Sequence, residues 1–279
     1  MPATLRPLST GELLDKTFTL YRQNFPLFFG IAALPQIGLF ILVTLMQGLA
    51  FSTRGTHDVG KAATMGIAVL VVAIVYLIGV LMAAGMIQGA TTLAVSSLYL
   101  GEPTSVKGAY SRVRGMIGRT VRVMLAVGFR VGFGFLLFII PGIIMLRRYS
   151  LAVPAAVLEK LKTKEALKRS RHLSEGSGGR VLLVYVLMLV LIYGVGFAAG
   201  WALGVMFKAQ ILQKSFGMQV VQQLISFLVG AAVGPVMTIA FSLLYYDQRV
   251  RKEAFDIEHM MKGLQPAGAS SAVAAGATV

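Results

Sequence analysis

Residues 104–159 read TSVKGAYSRVRGMIGRTVRVMLAVGFRVGFGFLLFIIPGIIMLRRYSLAVPAAVLE. A cationic, helix-prone beginning runs without a polar break into an apolar stretch, meets Arg147-Arg148, and continues apolar to Glu159. Similar apolar runs recur along the chain. Several exceed the roughly 18–20 residues that cross the hydrocarbon core of a bilayer as a helix, and none alternates in the ~10-residue pattern of a membrane barrel strand. The reading is an all-α, polytopic helical membrane protein with about six transmembrane helices and short amphipathic helices on its cytoplasmic face.

Composition agrees. The 279 residues are 56% hydrophobic and 13% charged, against roughly 45–50% and about 25% in soluble domains. The spans are expected at about 26–51, 63–94, 119–140, 141–156, 181–207 and 218–246 within one domain, 1–262, followed by a disordered Ala/Gly/Ser tail, 263–279. Ser9 and Glu12 form a capping box that starts an amphipathic helix over 9–25, with Leu14, Phe18, Tyr21 and Phe25 on one side. No apolar h-region with a cleavage site precedes the first span, so a cleavable signal peptide is not expected. In the opening stretch a surface helix is expected from about Ser105, then a span from Arg119 to Ile140, a turn at Pro141-Gly142 and a return to Ala156. Only about 18 residues are available for that return and two are arginines, so a full crossing and a re-entrant segment both remain open. A charged connector, LEKLKTKEALKRSRHLSEGSGGR, carries a short helix capped at Thr163 and stopped by Gly176 to Gly179.

A formal charge of +15 raises the question of nucleic acid. The basic residues lie in the links between apolar runs, however, which fits the positive-inside pattern and anionic headgroups better, so no nucleic acid partner is expected. Nineteen Lys and Arg fall on one side of the expected topology and four on the other, so both termini are expected in the cytoplasm of a bacterial inner membrane. Arg130, Arg147 and Arg148 are left over, all in the opening stretch.

At about 100° per residue Arg119, Arg122 and Arg130 fall on one side of a helix, joined by Arg112 if the helix is unbroken. No Asp or Glu lies inside a proposed span, so Arg130 must snorkel, bond carbonyls of a broken helix, or meet an anion such as a lipid phosphate. A fork of arginines suits phosphate geometry. Arg112, Arg119, Arg122, Arg130, Arg147 and Arg148 are therefore the candidate lipid-phosphate or anion contacts. Arg147 and Arg148 are expected one to two turns below the outer surface, or as a boundary anchor beside Tyr149.

Gly85/Gly89, Gly128/Gly132, Gly196/Gly200/Gly204 and Gly230/Gly234 have the G-x-x-x-G spacing of close helix packing, within the chain or in a homodimer. The absence of cysteine removes disulfides and thiolate sites, and His57, His172 and His259 have no metal spacing. No nucleophile with a base, P-loop or dinucleotide fingerprint is visible, so no cofactor, metal or catalytic residue is assigned and an enzyme is not expected.

Three stretches, LSTGELLDKTFTLYRQNF, PAAVLEKLKTKEALKRSRHLSEG and LLYYDQRVRKEAFDIE, stand in the same order relative to the apolar runs as in a known group. Together they resemble the glycerophosphoryl diester phosphodiesterase membrane-domain family of bacterial membrane proteins. The resemblance implies a multi-helix inner-membrane protein and supplies no active site. With so few residues after the sixth span, a phosphodiesterase barrel is not expected with it. Asp247 and Glu159 are the carboxylates expected to meet arginines in a boundary ion-pair network. The functional expectation is a non-enzymatic membrane protein whose basic face engages anionic lipid or a membrane protein partner. The alternative is a transporter or lipid translocator with a site near Arg130.

Overall fold

The computed structural model describes residues 6–52, 59–214 and 216–253. The tail expected over 263–279 and most of the link between the first two spans lie outside them. Ten α-helices and a short 3-10 turn make up the described chain, with no strand: α1 Thr10–Gln23, α2 Phe25–Ser52, α3 Val59–Tyr99, α4 Val106–Val113, α5 Ile117–Leu137, α6 Ile139–Tyr149, α7 Ala152–Leu158, α8 Thr163–Ser174, α9 Gly178–Lys214 and α10 Phe216–Glu253. Six helical segments are long and apolar enough to cross a membrane, and the protein is an all-α, multi-pass membrane protein.

Length and burial divide the molecule into two ends. At about 1.5 Å per residue, α3 with 41 residues and α10 with 38 are nearly twice as long as a ~30 Å hydrocarbon core is thick. One half of each helix therefore faces something other than acyl chains. Leu70, Leu77 and Ile78 of α3, Val190, Phe197 and Trp201 of α9, and Leu224 and Leu228 of α10 are exposed apolar residues and form the lipid-facing end. Residues 235–248 of α10 are mostly buried, with Ala90, Ala94, Val95 and Tyr99 of α3, α1, α4, α7 and α8 closing round them as a packed core end.

Local chemistry starts the surface helices. Ser9 Oγ accepts from the Glu12 N–H, and the Glu12 carboxylate accepts from the Ser9 N–H at 2.7 Å. That backbone bond, then Arg6, holds the Glu12 carboxyl down at about 2. In α8 the cap is one residue earlier than the expected Thr163. The chain is extended at Lys162, whose N–H donates to Glu165 Oε2 at 3.0 Å. A lysine side chain accepts nothing, so this is half of a capping box. Gly176, at φ +79°, supplies the left-handed turn between α8 and α9.

The opening stretch departs from its expected path. The α5–α6 hairpin turns at Phe138, which is extended, and not at Pro141-Gly142. Pro141 sits in the first turn of α6, where its missing N–H costs nothing. Gly142 lies beneath the Phe135 ring, and a Cβ on Gly134 would meet the Gly142 backbone at 3.0 Å, so these glycines set the spacing of the hairpin. The α6 helix has 11 residues, about 16 Å of rise. It ends at a turn over Ser150-Leu151, after which α7 is buried in the core end.

Of the glycine pairs, Gly85 and Gly89 make close contacts with another helix. A Cβ on Gly89 would stand 2.4 Å from Val113 Cγ2, and one on Gly85 2.5 Å from Val121 Cγ2. Among the described residues Gly128, Gly132, Gly196, Gly200, Gly204 and Gly234 meet nothing within 4 Å. Gly89→Val should therefore cost about 1–3 kcal/mol of overpacking, read as a lower melting temperature in detergent. Gly200→Val should leave it unchanged, and equal melting of the two variants would contradict this packing.

Candidate functional site: a basic face beside an apolar hairpin

Two charge systems occupy the core end. The first is closed on itself. Asp247, 1% exposed, accepts from the Leu8 N–H at 2.7 Å, Arg180 Nη1 at 2.8 Å and Arg251 Nε at 3.0 Å. Both arginines also donate to the Leu8 carbonyl, at 2.5 Å each. Nearby, Arg169 donates to Glu159 Oε1 at 2.8 Å and forks onto Glu253, and these carboxylates, Glu253 first, raise the guanidinium pKa. Tyr245 donates to Glu159 at 2.5 Å, Tyr246 pairs with Ser96 Oγ at 2.7 Å, and Lys252 reaches the His172 carbonyl at 2.5 Å. The segment Tyr245 to Glu253 thus ties together the start of the chain, α3, α7, α8 and α9. The network expected around Asp247 and Glu159 is present, and its arginines are Arg169, Arg180 and Arg251.

The second system is open. In α8, Ala166, Leu167, Ser170 and Leu173 turn inward, and Ala166 and Leu167 pack on Val123, Ala126 and Val127 of α5. Lys164, Lys168 and Arg171 recur at i, i+4, i+7 on another side of α8. They meet Arg130 and Tyr149 round a cavity of about 310 Å³ with no acidic residue in its wall. Arg130 donates to the carbonyl of Ala126 in its own helix at 2.9 Å. It stands beside the charged helix α8, within the apolar segment Val106–Leu137. On α5 itself Phe129 is 77% and Leu136 81% exposed, and Phe138 at the tip is 76% exposed. Cations and bare apolar surface are adjacent.

Arg147 and Arg148 stand next to the charged connector, away from where a full crossing by residues 141–156 would carry them. Because the return helix α6 is short, they reach the α8–α9 junction and share a cavity of about 280 Å³ with Arg171, Ser174 and Gly178. The remaining candidates are dispersed. Arg112 donates to Ser97 Oγ at 2.8 Å, Arg119 to the Lys160 carbonyl at 2.6 Å, and Arg122 to the Gly118 carbonyl of its own helix at 3.1 Å. Arg119, Arg122 and Arg130 thus donate to three different carbonyls, and of the three only Arg130 lines the cavity beside α8.

Lys164, Lys168 and Arg171 are not among the expected contacts, although their i, i+4, i+7 spacing is present in KTKEALKRSRHL, and Ser174, just beyond that stretch, carries no such signal. Two further cavities matter. One of about 760 Å³ combines Lys107 and Arg114 with Leu34, Met86 and Ile117. Another of about 500 Å³ lies at the junction of the two ends, with Gln36, Gln88, Tyr149, Ser150, Tyr185 and Thr238 in an otherwise apolar wall that does not include Arg130. Among the described residues no group of three His, Cys, Asp or Glu is placed to hold a metal. No family model, curated protein or solved structure matches the chain.

Proposed function

We propose that the protein is a non-catalytic inner-membrane protein whose basic face lies in the cytoplasm and holds the phosphates of anionic lipids. Membership in the family its three stretches resemble is part of this proposal. The observation that carries it is the cluster of Arg130, Lys164, Lys168 and Arg171 beside the apolar flank of α5. Four cations round one cavity repel one another, and a polyanion removes that cost. A phospholipid supplies the anion and, on the same molecule, acyl chains for Phe129, Phe133 and Leu136. The short α6 supports a re-entrant hairpin lying at the cytoplasmic interface, with its apolar tip in the lipid and its arginines at headgroup level. The cavity of Lys107 and Arg114 offers a second place of the same chemistry.

Neutralising Arg130 and Lys168 together as glutamine tests this. Each cation near the surface contributes about 1 kcal/mol toward anionic lipid, roughly fivefold in association. In bilayers of phosphatidylcholine carrying spin-labelled phosphatidylglycerol, the double variant should lose most of the immobilised anionic label and keep its phosphatidylcholine label. An unchanged ratio would sink the lipid reading.

The central cavity of about 500 Å³ favours a second reading, a lipid translocator. Vesicles containing the purified protein should then move labelled lipid between leaflets, and transfer no faster than in empty vesicles eliminates it.

A further inference from the structure

The pocket at the α8–α9 junction has the parts of a phosphoryl-group site distinct from the lipid-facing cluster. It is built on the N-terminus of α9, a helix of 37 residues. The first N–H groups of a helix have no partner within it and carry the positive end of its dipole. In α9 the first bond runs from the Val181 N–H to the Ser177 carbonyl at 3.1 Å, which leaves the N–H groups of Gly178 and Gly179 at the helix mouth. Ser177, in the capping position, donates its hydroxyl to Gln248 Oε1 at 2.8 Å. Both glycines line the cavity.

Three guanidinium side chains close on that mouth. Arg147 lies so near Gly178 that a Cβ there would stand 2.9 Å from Nη1, and only glycine leaves it that room. Arg148 and Arg171 line the same cavity. Among the described residues neither Arg147 nor Arg148 makes an ion pair. Arg171 pairs with Glu175 at 3.3 Å, both more than half exposed, so the wall includes one carboxylate against three guanidiniums. The independent sign of a missing ligand is Ser174. It lines the cavity, is 5% exposed, and its Oγ has no hydrogen-bond partner among the described residues, an arrangement that costs stability unless something supplies the bond.

We propose that this pocket binds a phosphoryl group, through the guanidiniums of Arg147 and Arg148, the helix N–H groups of Gly178 and Gly179, and the hydroxyl of Ser174. Planar guanidiniums meet phosphate oxygens two at a time, and a helix N-terminus completes the cradle without a further cation. At about 280 Å³ the cavity is at the small end of ligand pockets and takes the phosphoryl group with a short substituent. That group belongs either to a soluble phosphate compound or to the headgroup of a lipid lying against the hairpin. The site differs from the lipid cluster in using α9 and Ser174, and shares only Arg171 with it.

The test is calorimetric titration of the full-length protein in a neutral detergent with inorganic phosphate at constant ionic strength. Arg147→Gln should weaken binding by about tenfold or more, the effect of losing a charge-assisted bidentate contact. Ser174→Ala, which removes an unpartnered hydroxyl and so leaves the fold intact, should weaken it severalfold. Gly178→Ala, by displacing the Arg147 guanidinium, should act in the same direction. Arg130→Gln, which lowers lipid association under the proposed function, should leave phosphate binding unchanged, so the two readings fail separately. Competition by short-chain phosphatidic acid identifies a lipid headgroup as the source, and phosphate binding that the lipid does not displace identifies a soluble compound. No phosphate binding by the wild type, or equal binding by Arg147→Gln and Ser174→Ala, overturns the proposal.

Discussion

Replacing Asp247 with alanine lowers the stability of the protein by about 3–5 kcal/mol, the range for removing one partner of a buried ion pair. The carboxylate is fully enclosed and is the meeting point of Arg180, Arg251 and the backbone of Leu8. Without it two guanidiniums face each other across the Leu8 carbonyl with no counter-charge, and the Leu8 N–H loses its acceptor. Three parts of the chain separate at once: the segment before α1, the start of α9 and the end of α10. Asp247→Asn keeps the shape and an acceptor for the Leu8 N–H but not the charge, so its loss falls between alanine and wild type. Thermal unfolding of the purified protein in detergent measures the series. A melting temperature for Asp247→Ala within the error of wild type contradicts the assignment of this segment to structure.

The second large effect is at Arg169. Its guanidinium stands between Glu159 and Glu253, each about a quarter exposed or less, and Tyr245 adds its hydroxyl to Glu159. Arg169→Leu leaves the mostly buried Glu159 without a counter-charge, while Glu253 keeps Arg249 at 3.1 Å, and the expected loss is about 3 kcal/mol. Arg169→Lys recovers a part only, because an ammonium is a point donor and cannot fork onto Glu253 while bonding Glu159. The order wild type, lysine, leucine in melting temperature is the expected result. Equal stability of lysine and wild type would mean that the fork contributes nothing beyond charge.

These two sites show how much the sequence carried. The helical class followed from the length of the apolar runs, because a bilayer permits few alternatives. The Ser9–Glu12 cap and the role of Asp247 and Glu159 as arginine partners were legible from spacing and from position at the ends of runs. What resisted reading was which helix faces which. Gly196, Gly200 and Gly204 have the same spacing as Gly85 and Gly89, yet only the latter two meet a neighbour closely. Pro141-Gly142 is the stronger turn signal by composition, but Phe138 carries the turn because Gly142 is needed against Phe135 and Gly134. The position of Arg147 and Arg148 beside the α8–α9 junction has a related reason. Hydropathy joins residues 139–158 into one apolar segment, whereas the break at Ser150-Leu151 brings the return helix back after 11 residues. Once that helix is short, the three leftover arginines join the basic face, and the inward and outward sides of α8 acquire distinct roles.

That face is the center of the account, and the lipids that accompany the protein test it most directly. The protein is to be extracted together with its surrounding membrane, and its phospholipids compared with those of the membrane as a whole. Enrichment of anionic phospholipid around the wild type, falling toward the bulk proportion in the Arg130→Gln/Lys168→Gln variant, is the predicted result. Retention of lipids in the bulk proportion by the wild type would contradict it.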